Sequence, residues 1–536
     1  MVRDTGTLGS VGAVPPVPTL RPRLGRPLPL RALAAELGEE PRLVAPAGAD
    51  PAVTGITLDS RLVLPGDLYV ALPGQHHHGA AFSAAARAAG AVAVLTDPAG
   101  RADAEAAGLP VLVTARARPL MAHAAAAVYG HPAERLTMHA VTGTNGKTTT
   151  TFLLDAALRA AGHRVGTVGT IGFLLDGRPL PAGRTTITTP ESPELQALLA
   201  HLLEAGADSV AMEVSSHALV LGRADAITFD VAAFTNLGRD HLDFHGDEES
   251  YFAAKAQLFT PERTRQVVLS VDDAGGRRML DQVRRTPELT LRTVSLSDPD
   301  ADYLLLDARP APDGRTAVTA RADGRRLDLV LPLPGDFNVR NALTALAMVA
   351  LAGGDVAAAA AGLADVDVPG RMQRVALGPG APTVVVDFAH TPQAVAAALG
   401  AVRDRRVVAV LGCGGDRDPA KRRPMGEAAA RGAAVVVVTD DNPRSEDPAA
   451  IRAEVLAGAR AAGGPAEVHD GGDRASAIRL ALSLAGPDDV VAVLGKGHET
   501  GQEVAGTVLP FADADVARAA WAALGGPPAA PAGGPR

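Results

Sequence analysis

Cysteine is almost missing from this 536-residue chain: Cys413 stands alone. One thiol excludes an intrachain disulfide framework, and the reducing cytoplasm is the expected compartment. A basic excess is missing too. With 51 Lys+Arg against 60 Asp+Glu, the formal net charge of −9 offers no field suited to a phosphate backbone, so nucleic acid is excluded as the main partner. No apolar run reaches membrane-spanning length, because the most apolar stretch, Ala342 to Val366, is broken by Gly353, Gly354 and Asp355. The N-terminus shows no apolar block of a secretory signal, and no membrane insertion is expected.

Lysine is the most informative scarcity. Only Lys147, Lys255, Lys421 and Lys496 occur, against 47 arginines. A lysine that persists against such a bias marks a place where a compact primary amine is needed and a planar, permanently charged guanidinium cannot serve. The four lie in GTNGKTT, YFAAKAQLF, GDRDPAKRRP and LGKGHET.

What is present is globular: 47% hydrophobic and 21% charged residues. At roughly 150 residues per domain the length predicts about three or four units. Residues 1–25 and 526–536 are Pro-rich without periodicity and read as disordered tails. Short apolar runs alternate with Ala-rich helical stretches over 26–135, a small α/β domain. Over 136–370, strand, loop and helix repeat in the rhythm of a mostly parallel sheet covered by helices. The last domain, 371–525, has strands at Val384–Val386, Val407–Leu411, Val435–Val438 and Val490–Leu494. They run into Asp387–His390, Gly412–Arg417, Asp440–Arg444 and Gly495–Glu499. A parallel sheet puts all four segments on one edge, where open α/β sheets bind ligands.

The strand Thr137–Val141 runs into Gly143-Thr144-Asn145-Gly146-Lys147-Thr148-Thr149 and then an amphipathic helix. The glycines let backbone N–H groups curl around an anion, Lys147 reaches terminal phosphates, and the Thr148 hydroxyl is placed for Mg²⁺. Val141 stands where the strict pattern has its first glycine, so the loop is a shortened variant. Glu213 and His241 follow two later strands; at neighbouring strand ends they suit a Mg²⁺ site, although Mg²⁺ prefers oxygen. The His76-His77-His78 triplet is read as an exposed loop rather than a metal site, since adjacent residues do not converge on one ion. Cys413 is read as a small loop residue.

TGTNGKTTT, MEVSSHAL, FTNLGRDHLDFHG, YFAAKAQLF, LPLPGDFNVRNALTA, GRMQRV, DFAHTPQ, GCGGDRD, DDNPR and GKGHET, in this order over about residues 50–515, resemble the Mur ligases of peptidoglycan synthesis. The resemblance implies a UDP-binding domain, a central P-loop-type ATPase domain and a C-terminal Rossmann-like domain for the incoming amino acid. It implies ATP-dependent amide ligation through an acyl phosphate on the D-glutamyl carboxylate of UDP-MurNAc-L-Ala-D-Glu. Diaminopimelate is the expected amino acid, with L-lysine or another as the alternative; a monomer is expected. A P-loop protein that uses ATP to drive motion is the competing class, and it gives Lys255 and the four edge segments nothing to do.

Residue by residue, the resemblance implies that Lys147 and Thr148 serve the phosphates, and that Glu213, His241 and a carbamylated Lys255 join Thr148 around Mg²⁺. It gives Asn338, Asn341, Arg371 and Asp387 to the nucleotide. Ser60 and Arg61 fall at a uridine edge, and Thr188, Thr189, Ser215 and Arg223 at the muramoyl dipeptide. Two positions depart from the family pattern: Leu221 replaces a glutamine, and His78-Gly79 replaces Asp-Gly. For diaminopimelate it implies Arg417, Asp441, Asn442, Pro443, Arg444, Gly495 and Glu499. Arg444 would pair with the extra carboxylate that lysine lacks, and Glu499 would accept from the distal ammonium.

Overall fold

A computed structural model describes residues 20–22, 26–38, 41–74, 76–181, 187–311 and 315–528. The chain forms two compact units. One takes residues 1–136, 172–208 and 217–227; the other takes 137–171, 209–216 and 228–536.

The first unit is built on a five-stranded sheet of β1 (Arg42–Val44), β2 (Gly55–Thr57), β3 (Asp67–Ala71), β4 (Ala93–Thr96) and β5 (Val111–Val113) in the spatial order β1-β5-β4-β3-β2. All neighbours are parallel except β1. Its core joins Leu68, Val70, Leu95 and Leu112 to Leu120 and Met121 of the helix Ala117–Val128, and to Ala197 and Ala200 of the helix Ser192–Glu204. Most of the expected tails, 1–25 and 526–536, lies outside the described residues. Arg21 corrects the first: its guanidinium makes a bidentate pair with the buried Asp67 carboxylate at 2.7 Å for each bond. At the other end, Pro527 accepts a hydrogen bond from the Trp521 indole.

In the second unit, β6 (Thr137–Thr142), β7 (Val165–Gly169), β8 (Ser209–Glu213), β9 (Phe229–Phe234), β10 (Thr264–Ser270), β11 (Thr290–Ser295), β12 (Tyr303–Pro310), β13 (Thr316–Ala322) and β14 (Arg325–Leu331) lie in the order β7-β8-β6-β9-β10-β11-β12-β13-β14. The sheet is parallel as far as β12, and β13 and β14 add antiparallel edges. Helices Lys147–Ala160 and Asp336–Leu351 pack together on it through Leu153, Ala157, Leu343 and Leu346.

The same unit holds a six-stranded sheet of β15 (Gln373–Val375), β16 (Thr383–Asp387), β17 (Val407–Leu411), β18 (Val435–Thr439), β19 (Glu467–Gly472) and β20 (Val490–Leu494), ordered β15-β16-β20-β17-β18-β19. Only β15 is antiparallel. Alternate residues bury opposite faces: Val407, Ala409 and Leu411 enter one core, Val408 and Val410 the other. Both faces being covered explains the unbroken valine runs. The parallel ends of β16, β20, β17 and β18 therefore deliver the four polar segments to one edge. The α/β fold class read from the sequence is the one observed.

Candidate active site

The phosphate loop is shaped by two glycines with positive φ, Gly143 (+146°) and Gly146 (+88°), and a Cβ on Gly143 would overlap the Thr235 hydroxyl. The loop after β9 clamps it: Asn236 accepts from Thr144 N and Asn145 N at 2.9 Å each and donates to Asn145 O, to which Thr235 donates at 2.7 Å. Lys147 opens the following helix and its ammonium donates to Gly143 O and Thr144 O. Burial lowers its pKa, with Glu213 and Asp240 opposing. Thr149 is buried in the helix's first turn.

Glu213, 1% exposed at the end of β8, accepts from Thr148 Oγ1 at 3.1 Å, Thr170 N at 2.8 Å and Thr170 Oγ1 at 3.1 Å. The expectation that Glu213 and His241 follow neighbouring strands is corrected: β8 and β9 flank the phosphate-loop strand β6 on opposite sides. In a parallel sheet of crossovers, chain order is not spatial order.

Lys255 is 1% exposed near the end of the helix Glu248–Ala256, whose start is capped by Asp247. Its ammonium donates to Gly143 O at 2.9 Å and lies 4.4 Å from the Tyr251 ring centre. Burial, reinforced by the charge of Lys147, holds its pKa well below the ordinary lysine value. Tyr251 also bonds Thr144 through the hydroxyls and faces the His241 ring at 6.3 Å. His241 sits at φ +53° with Nε2 3.6 Å from Asp240, and burial lowers its pKa.

Asn338 and Asn341 are buried on the helix Asp336–Leu351, and Asn341 abuts Gly146, where an added Cβ would meet its Oδ1 at 2.7 Å. Arg371 stacks 4.5 Å from the Phe388 ring centre and donates to Thr148 Oγ1 at 3.3 Å. A relay Arg371–Thr148–Glu213 results. Burial lowers the Arg371 pKa and raises that of Asp387, whose carboxylate accepts from Met372 N at 2.7 Å.

At the edge of the six-stranded sheet, Asn442 Nδ2 donates to Glu499 Oε2 at 2.9 Å. Lys496, 0% exposed, donates to Asn442 Oδ1 at 3.0 Å and to the same Glu499 oxygen at 2.9 Å. Arg444, at φ +53°, donates to Gly415 O and lies 3.3 Å from Glu503. Pro443 O approaches Gly415 so closely that a side chain there would collide, and Gly495 takes φ +113° against Asp441. Arg417 is exposed. Cys413 is buried with its thiol pushed up to about 12 by burial, which suits packing and not nucleophilic work.

In the first unit a cavity of about 840 Å³ is lined by Ser60, Arg61, Tyr69, Tyr129, Glu191 and Glu194 among others. Arg61 is ion-paired to Asp59 with its side chain 85% exposed. Arg223 donates to Glu191 at 2.9 Å and to Thr189 O at 3.1 Å; Thr188 is adjacent in the chain. Ser215 belongs to the second unit and is half-buried. His76 and His77 are exposed, but His78 corrects the loop reading: Nδ1 accepts from Ala80 N and Nε2–H donates to Asp97. It caps the turn Gly79–Phe82 as an aspartate would.

Residues 52–129 match the Mur ligase family catalytic domain, 141–349 the Mur ligase middle domain, and 370–497 the Mur ligase glutamate ligase domain. Over 511 residues the chain is 48% identical to the UDP-N-acetylmuramoyl-L-alanyl-D-glutamate–2,6-diaminopimelate ligase of Streptomyces coelicolor, covering 92% of this chain and 98% of that one. The chain belongs to the Mur ligase family. It is an enzyme of the amide-bond-forming class. It is also 43% identical over 477 residues to the UDP-N-acetylmuramyl-tripeptide synthetase of Leifsonia xyli, covering 87% of this chain and 91% of that one. A solved structure of a UDP-N-acetylmuramoyl-L-alanyl-D-glutamate–2,6-diaminopimelate ligase aligns over 90% of this chain and 98% of its own, with TM-score 0.64 and 32% identity.

For this Mur ligase, among the described residues no three His, Cys, Asp or Glu side chains converge as a metal cluster. The donors present still fit Mg²⁺: the Thr148 hydroxyl and Glu213 carboxylate offer hard oxygens side by side. Lys255 and His241 meet through Tyr251; as an amine, Lys255 supplies no anionic oxygen. Sequence reasoning gave no role to Asn236, Asp240 and Tyr251, although they lie in the quoted stretches FTNLGRDHLDFHG and YFAAKAQLF, nor to Thr170, which lies in none of them. It also missed His245, which bonds Ser216 at 2.9 Å. No helix among the described residues is long and apolar enough to cross a membrane.

Proposed function

We propose that this ligase joins 2,6-diaminopimelate to the D-glutamyl carboxylate of UDP-MurNAc-L-Ala-D-Glu at the expense of ATP, as a cytoplasmic monomer. The observation that carries this reading is the meeting of Asp441–Arg444 and Gly495–Glu499 on one sheet edge, joined through Asn442 and Glu499, in a chain so similar to a relative named for that addition.

A carboxylate is a poor acyl donor because its oxygen leaves badly. Transfer of the γ-phosphoryl group of ATP to it gives an acyl phosphate and ADP. The substrate amine then attacks the carbonyl, a proton is lost, the amide forms and inorganic phosphate leaves. The chain's work is positioning and charge neutralisation. The loop Gly143–Thr149 cradles the phosphates, Lys147 exchanges its bonds to Gly143 O and Thr144 O for phosphate oxygens, and Arg371 approaches over Phe388. Asn338, Asn341 and Asp387 border the nucleotide.

Mg²⁺ bound there neutralises phosphate charge; Thr148 and Glu213 would hold it, with His241 at the rim. Burial and the charge of Lys147 both favour the neutral amine of Lys255, the form that adds CO₂ to give a carbamate and so a further oxygen donor. Ser60 and Arg61 border the cavity proposed for the UDP moiety, and Thr188, Thr189, Ser215 and Arg223 serve the dipeptide. Arg444 and Arg417 take the extra carboxylate of diaminopimelate.

The test is phosphate release from ATP with UDP-MurNAc-L-Ala-D-Glu and, separately, meso-diaminopimelate, LL-diaminopimelate and L-lysine. Turnover with a diaminopimelate isomer alone is expected; turnover with lysine alone overturns the role of Arg444, and none with any overturns the assignment.

A further inference from the structure

Of the four lysines, Lys496 has no task in the reaction as described, yet it is completely buried. Its ammonium touches two residues of the proposed amino-acid pocket, Asn442 Oδ1 at 3.0 Å and Glu499 Oε2 at 2.9 Å. Asn442 Nδ2 returns to the same Glu499 oxygen at 2.9 Å, and Glu503 N donates to Asn442 Oδ1 at 3.0 Å. Two groups that can only donate, the Lys496 ammonium and the Glu503 amide, therefore fix which end of the Asn442 amide faces them. The carboxylate of Glu499 is fixed as well, because both bonds fall on Oε2 and leave Oε1 as the remaining acceptor.

We propose that Lys496 is a positioning residue for the amino-acid substrate, locking Asn442 and Glu499 in the orientation that receives its ammonium end. The inference rests on the amino-acid site proposed above. The geometry explains why lysine survives here in an arginine-rich chain. A compact ammonium with freely rotating donors fits a dry point between two oxygens, whereas a planar guanidinium brings five donors that need more room and more acceptors. The segment Gly495–Glu499 thus acts from within: Lys496 lies under the pocket and Glu499 borders it.

The experiment is steady-state kinetics of wild type, Lys496→Met, Lys496→Arg, Glu499→Gln and the double variant Lys496→Met/Glu499→Gln, with ADP binding and far-UV circular dichroism as controls on the fold. Wild-type turnover with diaminopimelate is measured first; its absence overturns the functional reading, and the cycle then runs on whichever amino acid is accepted. Expected are a rise of about 10- to 100-fold in KM for the amino acid in both Lys496 variants, a KM for ATP within about twofold of wild type, and little further effect of Lys496→Met once Glu499 is Gln. Equal losses for ATP and amino acid, multiplying effects in the double variant, or a wild-type KM in Lys496→Arg would each overturn the proposal. If Lys496→Met does not fold, Lys496→Gln, which keeps one donor toward Asn442, takes its place in the same cycle.

Discussion

Replacing His139 by leucine is expected to remove one defined contribution to the fold's sensitivity to mild acid. His139 lies on β6, the strand that ends in the phosphate loop, and is 0% exposed. Its Nδ1–H donates to Val210 O at 3.3 Å, and Nε2 is buried without a hydrogen-bond partner among the described residues. Protonation would put a charge in the dry interior of the sheet, and burial outweighs the help of Val210, Asp230 and the Thr137 backbone and pulls the pKa from 6.5 to about 4. Between those values the unfolded chain binds a proton that the native ring refuses. Stability from this group is full above pH 6.5 and is lost as pH falls toward 4. A shift of that size corresponds to about 3 kcal/mol once both limits are passed, and to about 2 kcal/mol at pH 5 relative to pH 8.

The assay is urea unfolding followed by circular dichroism at pH 8 and pH 5 for wild type and His139→Leu. The quantity of interest is the difference between the two proteins at each pH. The lost bond to Val210 is a constant offset, other titrating groups cancel, and only the histidine term changes. The wild type should lose about 2 kcal/mol more than the variant on going to pH 5. A difference that is the same at both pH values would refute the reasoning.

Lys255→Met, which keeps length and burial while removing the amine, should lower kcat by at least about 100-fold with Tm little changed; added short carboxylic acids should restore part of the rate, and wild-type turnover without them would contradict a role for the amine. Gly169→Ala would place a Cβ 2.3 Å from Glu213 Oε1, so the carboxylate must shift: kcat should fall about 10-fold or more for a stability cost of about 1–3 kcal/mol, and an unchanged kcat would mean that Glu213 is not position-critical. Asp513→Asn leaves the fully buried Arg474 without its anion, now bonded at 2.7 and 2.8 Å. The expected loss is about 3–5 kcal/mol, read by calorimetry as a Tm drop of about 4–7 °C for a unit of roughly 350 residues; a shift under about 2 °C would show that Leu494 O and Asp441 compensate.

The strands buried on both faces were the legible part of the fold. Val407–Leu411 and Val490–Leu494 have the bounds read from the sequence, because a covered parallel strand is an uninterrupted apolar run. The strands Tyr303–Pro310, Thr316–Ala322 and Arg325–Leu331 at the antiparallel end of the sheet escaped notice, since each mixes buried and exposed positions and carries arginine or aspartate. Within the site, lysine scarcity marked Lys147, Lys255 and Lys496 by type. Partners that exist only through folding had no such mark: Thr170 stands 43 residues before Glu213, and Arg371 stands 223 residues after Thr148. Periodicity reports which face a residue takes, and not which strand lies beside it.

The division of the chain makes the same point at a larger scale. Read as sequence, 136–370 is one continuous domain, yet 172–208 and 217–227 group with the N-terminal unit. The physical cause is the helix Ser192–Glu204, whose Ala197 and Ala200 enter the core of the first sheet. An amphipathic helix announces that it has an apolar face; the sheet that covers this face is settled by packing against residues far earlier in the chain, such as Leu68 and Leu112. Thr189, Glu191 and Arg223 accordingly form one hydrogen-bonded group in the unit that also carries Ser60 and Arg61. A substrate bound to the cavity and to Arg223 would thus engage one compact body of the chain, whereas the phosphate loop, Lys255 and the Asp441–Glu499 edge belong to the other.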